Sequence, residues 1–529
     1  MQRPHHSRRS GALSMVKRLP GLAAGRPRLS ALLLGAVAAT GFAPLGLWPV
    51  TLLCLAGLIA LLARARNRRS AFLLGYAFGV GHFTLGLNWI AHAFTYQDAM
   101  PQWFGYGAVV LLSFYLAIFP ALAAGLAWWL AKGREDALIV CLAGSWALGE
   151  YLRATLLTGF AWNPVGVIWL GTGVEQAAAF VGTYGIGALA LLAAGGLRLL
   201  AIGRRRAGVV IFAPMLAIAL VSPGGSARPS PPGPAIRIVQ PNIDQGEKYD
   251  PAAEQRNFLK LAQLSGTPSL SPRLIFWPEA AVSAILDMEP EWRARIAALF
   301  GPGDLLLTGG DKYHFRKTTH AFYVADDLLG ANNSLWVVAP DGQLIGRYDK
   351  AHLVPFGEYL PMRPILSAIG LSRLVPGDVD FWPGPGPRTL SLPGANGRQP
   401  LRMGVQICYE IIFSGQVVDR AHRPDFIFNP SNDAWFGSWG PPQHLAQARL
   451  RAIEEAMPII RSTPTGISAV IDASGTVRAA IGLHRAAFIA ANLPPAAPPT
   501  LFAEWGNALP MLLAAILMLS GVAITRVRR

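Results

Sequence analysis

Long apolar runs fill much of the first 222 residues of the chain and return once near residue 506. A helix that crosses a membrane needs about 20 predominantly apolar residues. The pattern therefore predicts a transmembrane bundle of about seven spans over residues 30–222 and one closing transmembrane helix over 506–525. The candidate segments are roughly 30–46, 48–63, 71–93, 105–131, 136–153, 176–197, 208–222 and 506–525.

Gly and Pro interrupt two of the apolar stretches. The sequence "GFAPLGLWP" (41–49) separates the first two segments, and "LLTGFAWNPVGVIWLG" (156–171) is apolar but broken. Irregular backbone at membrane depth needs protein or water to satisfy its polar groups. We expect residues 156–171 to be a non-helical piece held against the outer face of the membrane.

Between residues 235 and 500 the pattern changes to short strands that alternate with helices. The strand patterns lie at 235–243, 273–279, 304–310, 401–408 and 425–431, with hairpins at 333–349 and 466–482 and helical spacing at 251–266, 290–301 and 442–456. This alternation predicts an α/β domain. The Pro, Gly and Ser residues of 223–234 are typical of a linker between the bundle and this domain.

Charge is scarce and unevenly placed. Only 14% of the residues are charged, against about 25% in soluble domains, and the formal net charge is +16. Basic clusters flank the apolar runs at 64–69, 132–134, 203–206 and 526–529, as the positive-inside rule describes. This placement argues against a nucleic-acid surface, and residues 1–29 read as a basic cytoplasmic tail.

Eight spans that start with the N-terminus in the cytoplasm place all four basic clusters inside. The loop 95–102, which has no Lys or Arg, then faces outward. The seventh span exits outward and the eighth returns, so residues 223–505 lie outside. We therefore expect the α/β domain, at 235–500, on the outer side of the membrane.

Three polar residues stand at or just after the ends of predicted buried strands: Glu279, Lys350 and Cys408. In open α/β sheets, sites gather at the carboxyl ends of strands. A carboxylate can take the proton of a thiol, and an ammonium can stabilise an oxyanion. Taken singly, each has a structural reading: Glu279 as a helix cap, Lys350 as a surface lysine and Cys408 as a small buried residue, which is how we interpret Cys54 and Cys141.

The order of these residues resembles the nitrilase superfamily. The motifs are "FWPEAAV", "GRYDKAHLVPFGEYLP" and "GVQICYEIIF". The longer pieces "DKAHLVPFGEYLP", "CYE" and "NPSNDAWFG", together with "GFAPLGLWP" near the start and the single closing span, resemble the apolipoprotein N-acyltransferase family. The resemblance covers the chain beyond residue 29 and implies a nitrilase-like αββα sandwich as the soluble domain.

The resemblance also implies a reaction. Family members move an acyl chain from a phospholipid onto the cysteine as a thioester, then to the free amine of a diacylglyceryl-cysteine, in the last step of lipoprotein maturation. By motif match, Cys408 is the nucleophile, Glu279 the general base and Lys350 the oxyanion stabiliser. Glu358 matches a second glutamate of the family's site, and Tyr409 and Glu410 match the residues after the nucleophile.

Further residues are candidates for the substrate pocket. Tyr249 stands where many relatives have Trp, and Phe356, Trp435 and Phe436 are candidate wall residues. The stretch 354–377 is rich in apolar residues, and we expect it to be an arm that dips toward lipid; the alternative is a loop packed on its own domain. Large apolar patches usually mark interaction surfaces.

The expected partners are a phospholipid acyl donor, a diacylglyceryl apolipoprotein acceptor and the lipid bilayer, without nucleic acid. We expect a monomer in the bacterial inner membrane, multi-pass, with the catalytic domain in the periplasm. No cofactor is expected, and no Cys/His spacing in the sequence matches a zinc template. The alternative function is a membrane-anchored amidase of the nitrilase type, whose thioester would be hydrolysed by water.

Overall fold

The computed structural model describes residues 25–96, 101–221, 233–248, 250–316, 327–368 and 379–527. Several sequence-based expectations fall outside these ranges. They concern most of the basic tail, almost all of the linker, the middle of the loop 95–102, Tyr249 and residues 369–377 of the proposed arm.

All eight predicted apolar segments are helical within the described residues. The first seven segments form the bundle, and one of them, 105–131, contains two consecutive helices. Short 3₁₀ turns at Ala39–Gly41 and Asn88–Tyr96 extend two of the bundle helices. The bundle helices are α1 (Pro27–Ala38), α2 (Trp48–Ala63), α3 (Arg68–Gly86), α4 (Phe104–Leu116), α5 (Ile118–Ala131), α6 (Glu135–Thr155), α7 (Ala178–Ala201) and α8 (Arg205–Val221).

Length and composition identify fewer membrane spans than the sequence pattern predicts. Among the described residues, Phe104–Ala131, Glu135–Thr155, Val174–Ala201 and Ala508–Arg526 are long and apolar enough to cross a membrane. The pair Arg68–Gly86 and Asn88–Tyr96, bent by 46°, would be a fifth span. The helices at Pro27–Gly41 and Trp48–Ala63 are apolar but shorter, so these criteria support four or five of the expected eight spans.

The stretch 156–171 is irregular, as expected, apart from a 3₁₀ turn at Val165–Trp169. Arg153, in the last turn of α6, holds it by donating from Nη1 to the carbonyl oxygens of Phe160 and Trp162, both at 2.8 Å. These bonds satisfy carbonyl groups that lie outside any helix or sheet. The stretch is therefore fixed to the end of α6.

The predicted α/β domain is confirmed. Its helices are α9 (Pro251–Ser265), α10 (Pro290–Ala297), α11 (Arg363–Ala368) and α12 (Gly440–Glu455). Its strands are β1 (Ala235–Gln240), β2 (Arg273–Phe276), β3 (Leu305–Phe315), β4 (Leu328–Val338), β5 (Leu344–Asp349), β6 (Thr389–Leu392), β7 (Leu401–Val405), β8 (Phe426–Pro430), β9 (Ile459–Ser462), β10 (Ser468–Ile471), β11 (Val477–Ile481) and β12 (Ala487–Asn492).

These strands form two six-stranded sheets in the described part of the chain. The first has the order β12-β1-β2-β3-β4-β5, and the second has the order β11-β10-β9-β8-β7-β6. In the first sheet β1, β2 and β3 are parallel neighbours. In the second, β7, β8 and β9 are parallel.

The two sheets face each other across a buried apolar layer. Phe276 and Leu307 of the first sheet share one core with Val405 and Phe428 of the second. A second core joins the outer face of the first sheet to α9 and α10, and a third joins the outer face of the second sheet to α12. This arrangement is the αββα sandwich that the sequence resemblance implies.

The third core continues into the bundle, so the α12 layer lies between the second sheet and the membrane helices. After β12 the chain returns through α13 (Leu501–Trp505) to α14 (Ala508–Arg526). Small residues let α14 approach α6: a Cβ on Gly144 would lie 2.5 Å from the Ala514 carbonyl oxygen, and one on Gly521 2.3 Å from the Cys141 sulfur. Such close approach is the usual basis of helix association in membranes.

Candidate active site

Strand ends bring the three predicted residues together. Glu279 follows β2, Lys350 directly follows β5 in the same sheet, and Cys408 follows β7 in the facing sheet. All three are buried: the exposed fraction is 8% for Glu279, 1% for Lys350 and 5% for Cys408. A thiol, an ammonium and a carboxylate that are withdrawn from water interact more strongly than they would on the surface.

Two carboxylates and one amide surround the ammonium of Lys350. Its Nζ lies 2.8 Å from Glu358 Oε1 and 3.7 Å from Glu279 Oε1. Asn333 Nδ2 donates to both carboxylates, at 2.7 Å to Glu279 and 3.0 Å to Glu358. The backbone N–H of Val354 donates to the other oxygen of Glu358 at 2.8 Å, so Glu358 is held firmly against the lysine.

This cluster keeps Lys350 charged. Burial acts to lower the pKa of Lys350, but the carboxylates of Glu358 and Glu279 outweigh it, and the pKa lies above its ordinary value. A buried ammonium is stable only when paired in this way. Lys350 is therefore a permanent cation at neutral pH, as the stabiliser of an oxyanion must be.

Cys408 occupies a sharp turn between β7 and a 3₁₀ helix, Cys408–Ile412. Its φ is +51°, a left-handed conformation that is uncommon outside Gly, Asn and Asp. Burial and the charge of Glu279 raise the pKa of the thiol well above its ordinary value, whereas Lys350 and the N–H of Asn432 act to lower it. The thiol is protonated at rest and needs a base before it can attack.

Glu410 ties the cysteine turn to the segment that follows Lys350. Its Oε2 accepts from the N–H of Ile407 at 2.7 Å, and its Oε1 accepts from the N–H groups of Ala351 at 2.7 Å and His352 at 3.1 Å. Burial raises the pKa of Glu410 to about 7, while these donors favour the ionised form. One side chain thus fixes the position of Cys408 relative to Lys350.

A buried charged group lies behind the nucleophile. His444 Nε2 is 3.0 Å from the carbonyl oxygen of Cys408, which can only accept, so the proton lies on Nε2. Its Nδ1 lies 2.9 Å from both Asp433 Oδ1 and Arg461 Nη2, and Arg461 also donates to both oxygens of Asp433 at 2.6 and 2.7 Å. Burial and Arg461 lower the pKa of His444, whereas Asp433 acts to raise it, and its Nε2 serves as a structural donor to the cysteine turn.

Comparison with known proteins gives a consistent assignment. Residues 34–196 match the apolipoprotein N-acyltransferase N-terminal domain, and residues 235–496 match the carbon-nitrogen hydrolase domain. The apolipoprotein N-acyltransferase of Bradyrhizobium diazoefficiens is 36% identical over 93% of this chain and 94% of that protein. That of Rhodopseudomonas palustris is 35% identical over 97% of this chain and 98% of that protein. That of Caulobacter vibrioides is 37% identical over 94% of each chain.

The chain belongs to the apolipoprotein N-acyltransferase family. Among solved structures, an amidase of the nitrilase superfamily from Nesterenkonia AN1, in a mutant form, aligns with 54% of this chain and 97% of that chain, at 14% identity and a TM-score of 0.36. The relatives that match over most of this chain are apolipoprotein N-acyltransferases, so they do not favour the alternative amidase interpretation.

The other residues expected from the acyltransferase motifs lie around this cluster or on its borders. Tyr409 is buried, and its hydroxyl donates to the carbonyl oxygen of Gly159 at 3.3 Å. Phe436 packs against Trp89 and Trp162 of the membrane half, with ring centroids 4.7 and 5.4 Å apart, and Trp435 contacts Tyr96 at 5.5 Å. Both side chains thus lie where the soluble domain meets the bundle.

The described part of the proposed arm contains both exposed and buried apolar side chains. The exposed fraction is 47% for Phe356, 67% for Met362 and 63% for Ile365, as expected for an apolar surface segment. Leu360 in the same segment is buried, with an exposed fraction of 4%. Its burial shows that the segment is anchored at this point, between the exposed side chains of Phe356 and Met362.

Sequence reasoning missed two charged residues at the site, Lys248 and Asp311. Lys248 Nζ donates to the backbone carbonyl oxygen of Glu279 at 3.2 Å. Asp311 on β3 is directly paired with Asn333 on β4, and directly paired residues project from the same face of a sheet. Both residues therefore belong to the surroundings of Glu279.

Proposed function

We propose that this chain transfers an acyl chain from a membrane phospholipid to the N-terminal amine of diacylglyceryl-cysteine in apolipoproteins, through a thioester on Cys408. The observation that carries the proposal is the buried thiol placed next to the Glu279, Lys350 and Glu358 cluster in a chain of this family. The thiol needs a base, and nucleophilic acyl transfer is the reaction that such a set serves best.

In the first half-reaction, Glu279 accepts the proton of the Cys408 thiol while the sulfur attacks the ester carbonyl carbon of the donor. The negative charge that develops on the carbonyl oxygen is stabilised by Lys350 Nζ and by the backbone N–H of Tyr409. The bond to the glycerol oxygen then breaks. This oxygen takes the proton from Glu279, and a lysophospholipid leaves.

In the second half-reaction, the neutral amine of the acceptor attacks the thioester carbonyl carbon and gives a proton to Glu279. The carbon–sulfur bond breaks, and the thiolate of Cys408 recovers that proton. The product is an amide, and the enzyme returns to its starting state. Each substrate thus meets the same small set of groups in turn, which is a ping-pong scheme.

Glu358, Asn333 and Glu410 hold the reacting groups in place. Glu358 pairs with Lys350 at 2.8 Å, and Glu410 joins the turns that carry Cys408 and Lys350. We infer that these residues act by positioning, because groups held in a near-attack arrangement react far faster than groups that must find each other.

The contact between the site and the membrane helices favours a lipid substrate over an amide. Phe436 and Trp162 form an aromatic layer beside His444, which contacts the Cys408 carbonyl oxygen. Each CH₂ group of an acyl chain that remains in an apolar environment avoids a cost of about 0.8 kcal/mol in water. An apolar wall also excludes the water that would hydrolyse the thioester.

We further propose eight spans in the bacterial inner membrane, with residues 30–222 as the bundle and 235–500 as the periplasmic catalytic domain. The polar contacts between the two halves support this topology. Gln443 and Tyr409 bond to the stretch 156–171, and Glu454 accepts from the N–H of Thr183 near the start of α7 at 2.7 Å. In the proposed path, all of these bundle positions lie at outer ends.

The experiment that tests the function is a transfer assay with the purified full-length protein. A phospholipid with a labelled acyl chain is the donor, and a diacylglyceryl-cysteine peptide is the acceptor. We expect labelled N-acyl peptide with the native chain and none with Cys408→Ala or Glu279→Gln. Labelled free fatty acid in place of labelled peptide would instead support a hydrolase.

A further inference from the structure

A second ammonium group lies beside the catalytic cluster. Lys248 follows β1, and its Nζ donates to the backbone carbonyl oxygen of Glu279 at 3.2 Å. The side chain is half-buried, and burial lowers the pKa of its ammonium, whereas the nearby carboxylates of Glu279 and Asp311 and the thiol of Cys408 act to raise it. Lys248 is therefore partly accessible beside Glu279 and within electrostatic reach of Cys408.

Asp311 balances the charge of Lys248. It shares the face of Asn333 in the β3–β4 pairing, and Tyr313 Oη donates to its Oδ2 at 3.4 Å. Burial raises the pKa of Asp311 to about 6, and Lys248 acts in the opposite direction. Each of the two side chains thus favours the charged form of the other.

The acyl-transfer chemistry does not require this second cation. Lys350 already supplies a permanent positive charge for the oxyanion, and Glu279 is the base. The substrates differ in what a second cation could bind. The acceptor reacts through a neutral amine, which gives a cation no anion to bind, whereas the phospholipid donor brings a phosphodiester anion only a few bonds from the ester that is broken.

An ammonium group near the nucleophile, but not part of its immediate hydrogen-bonding set, is well placed for such an anion. Lysine is a common phosphate ligand in proteins, as a compact positive charge with three donors. At the edge of a buried site, the attraction is screened less than on an open surface. A neutral glyceride has no phosphate, so it lacks the anion that this ammonium would bind.

We propose that Lys248 binds the phosphate of the phospholipid donor in the first half-reaction and so selects phosphate-bearing lipids over neutral glycerides. The inference rests on the proposed function and names a specificity residue for its donor. Asp311 positions the ammonium and balances its charge when no donor is bound.

The test compares two donors with the same acyl chains, a phospholipid and the corresponding diacylglycerol. The full-length protein in detergent micelles is mixed with each, and the rate at which the acyl adduct appears on Cys408 is followed by intact mass. The measured quantity is the ratio of the two rates. It is compared among the native chain, Lys248→Met, Lys248→Arg and Lys312→Met.

Lys312→Met is the matched control. Lys312 directly follows Asp311 on β3, and its ammonium pairs with Asp287. We expect Lys248→Met to lower the phospholipid-to-diacylglycerol ratio about tenfold, as loss of one charge-assisted hydrogen bond would. Lys248→Arg should keep most of the preference, and Lys312→Met should keep all of it.

An unchanged ratio in Lys248→Met would overturn the inference, whether both rates stay at the native level or both fall together. Equal slowing of the two donors would mean that Lys248 supports the nucleophile or the fold. Failure of the proposed function looks different: the native chain itself would then acquire no acyl adduct from the phospholipid.

Discussion

At the scale of single residues, Cys408 lies between two charges that act on its thiol in opposite directions. Glu279 raises the pKa of the thiol and Lys350 lowers it, on top of the large increase caused by burial. The balance leaves a protonated sulfur, which in the proposed reaction is activated by the carboxylate of Glu279. In that reaction the same two neighbours act on both the resting thiol and the acyl transfer.

This balance predicts opposite shifts in two variants. In Glu279→Gln the pKa of the Cys408 thiol should fall, because a negative charge is removed, and in Lys350→Met it should rise, because a positive charge is removed. The measurement is the pH dependence of iodoacetamide alkylation at Cys408, with Cys54 and Cys141 replaced by Ala. Lys312→Met should leave the midpoint in place, and shifts of the same sign in both site variants would contradict the account.

The three central residues were predictable from sequence because each stands at the end of a buried strand. Lys248 and Asp311 were not, since Lys248 lies in a turn and Asp311 lies inside a strand whose pairing is invisible in the sequence. Only the register that pairs Asp311 with Asn333 places it at the site. Tyr249 and the pocket residues stay predictions.

At the scale of elements, β3 packs directly against the turn that carries the proposed base. A Cβ on Gly309 would lie 2.4 Å from the backbone nitrogen of Ala280 and 2.7 Å from Glu279 Cα, which real side chains do not tolerate. A Cβ on the next residue, Gly310, would meet Trp336 at 3.4 Å, an ordinary contact. Neighbouring glycines in one strand therefore have different roles.

We predict that Gly309→Ala lowers kcat/KM for acyl transfer about 100-fold, because a displacement of the base by about 1 Å has effects of that order. Gly310→Ala should retain near-native activity. The transfer assay measures both, together with thermal unfolding in detergent to confirm that each variant is folded. Equal activity of the two variants would show that the turn at Glu279 does not need this close approach.

Alternation of apolar and polar residues predicted most strands of the soluble domain but missed β6, β9 and β12. Strand β9 (Ile459–Ser462) contains Arg461, a charged residue that the pattern excludes from a buried strand. The structure accommodates it because Asp433 pairs with the guanidinium, and both side chains are fully buried. β12 pairs with β1, which lies at the opposite end of the domain sequence. A local sequence pattern cannot predict such a distant pairing.

At the scale of the whole molecule, opposite ends of the bundle have different partners. Trp162 at one end bonds to Gln443 of the soluble domain at 2.8 Å. At the other end, Glu135 of α6 pairs with Arg198 of α7 at 2.8 Å, among the basic clusters. This difference between the two ends fits the proposed topology, in which the basic end of the bundle faces the cytoplasm and the other end supports the catalytic domain.

This orientation predicts the accessibility of single cysteines in a chain otherwise free of them. Arg66→Cys, in the first basic cluster, should react with a membrane-impermeant maleimide only after the inner membrane is opened. Gln263→Cys, on the exposed side of α9, should react in intact spheroplasts. The reverse pattern would contradict the proposed topology.

A covalent acyl-enzyme on Cys408 is the central step of the proposed reaction, and one measurement detects it directly. The purified chain is incubated with phospholipid in the absence of any acceptor, and its intact mass is recorded. We predict an increase equal to one acyl chain, located on Cys408, released by hydroxylamine and absent in Cys408→Ser. A native chain that transfers acyl groups at its normal rate while Cys408 stays unmodified would contradict it.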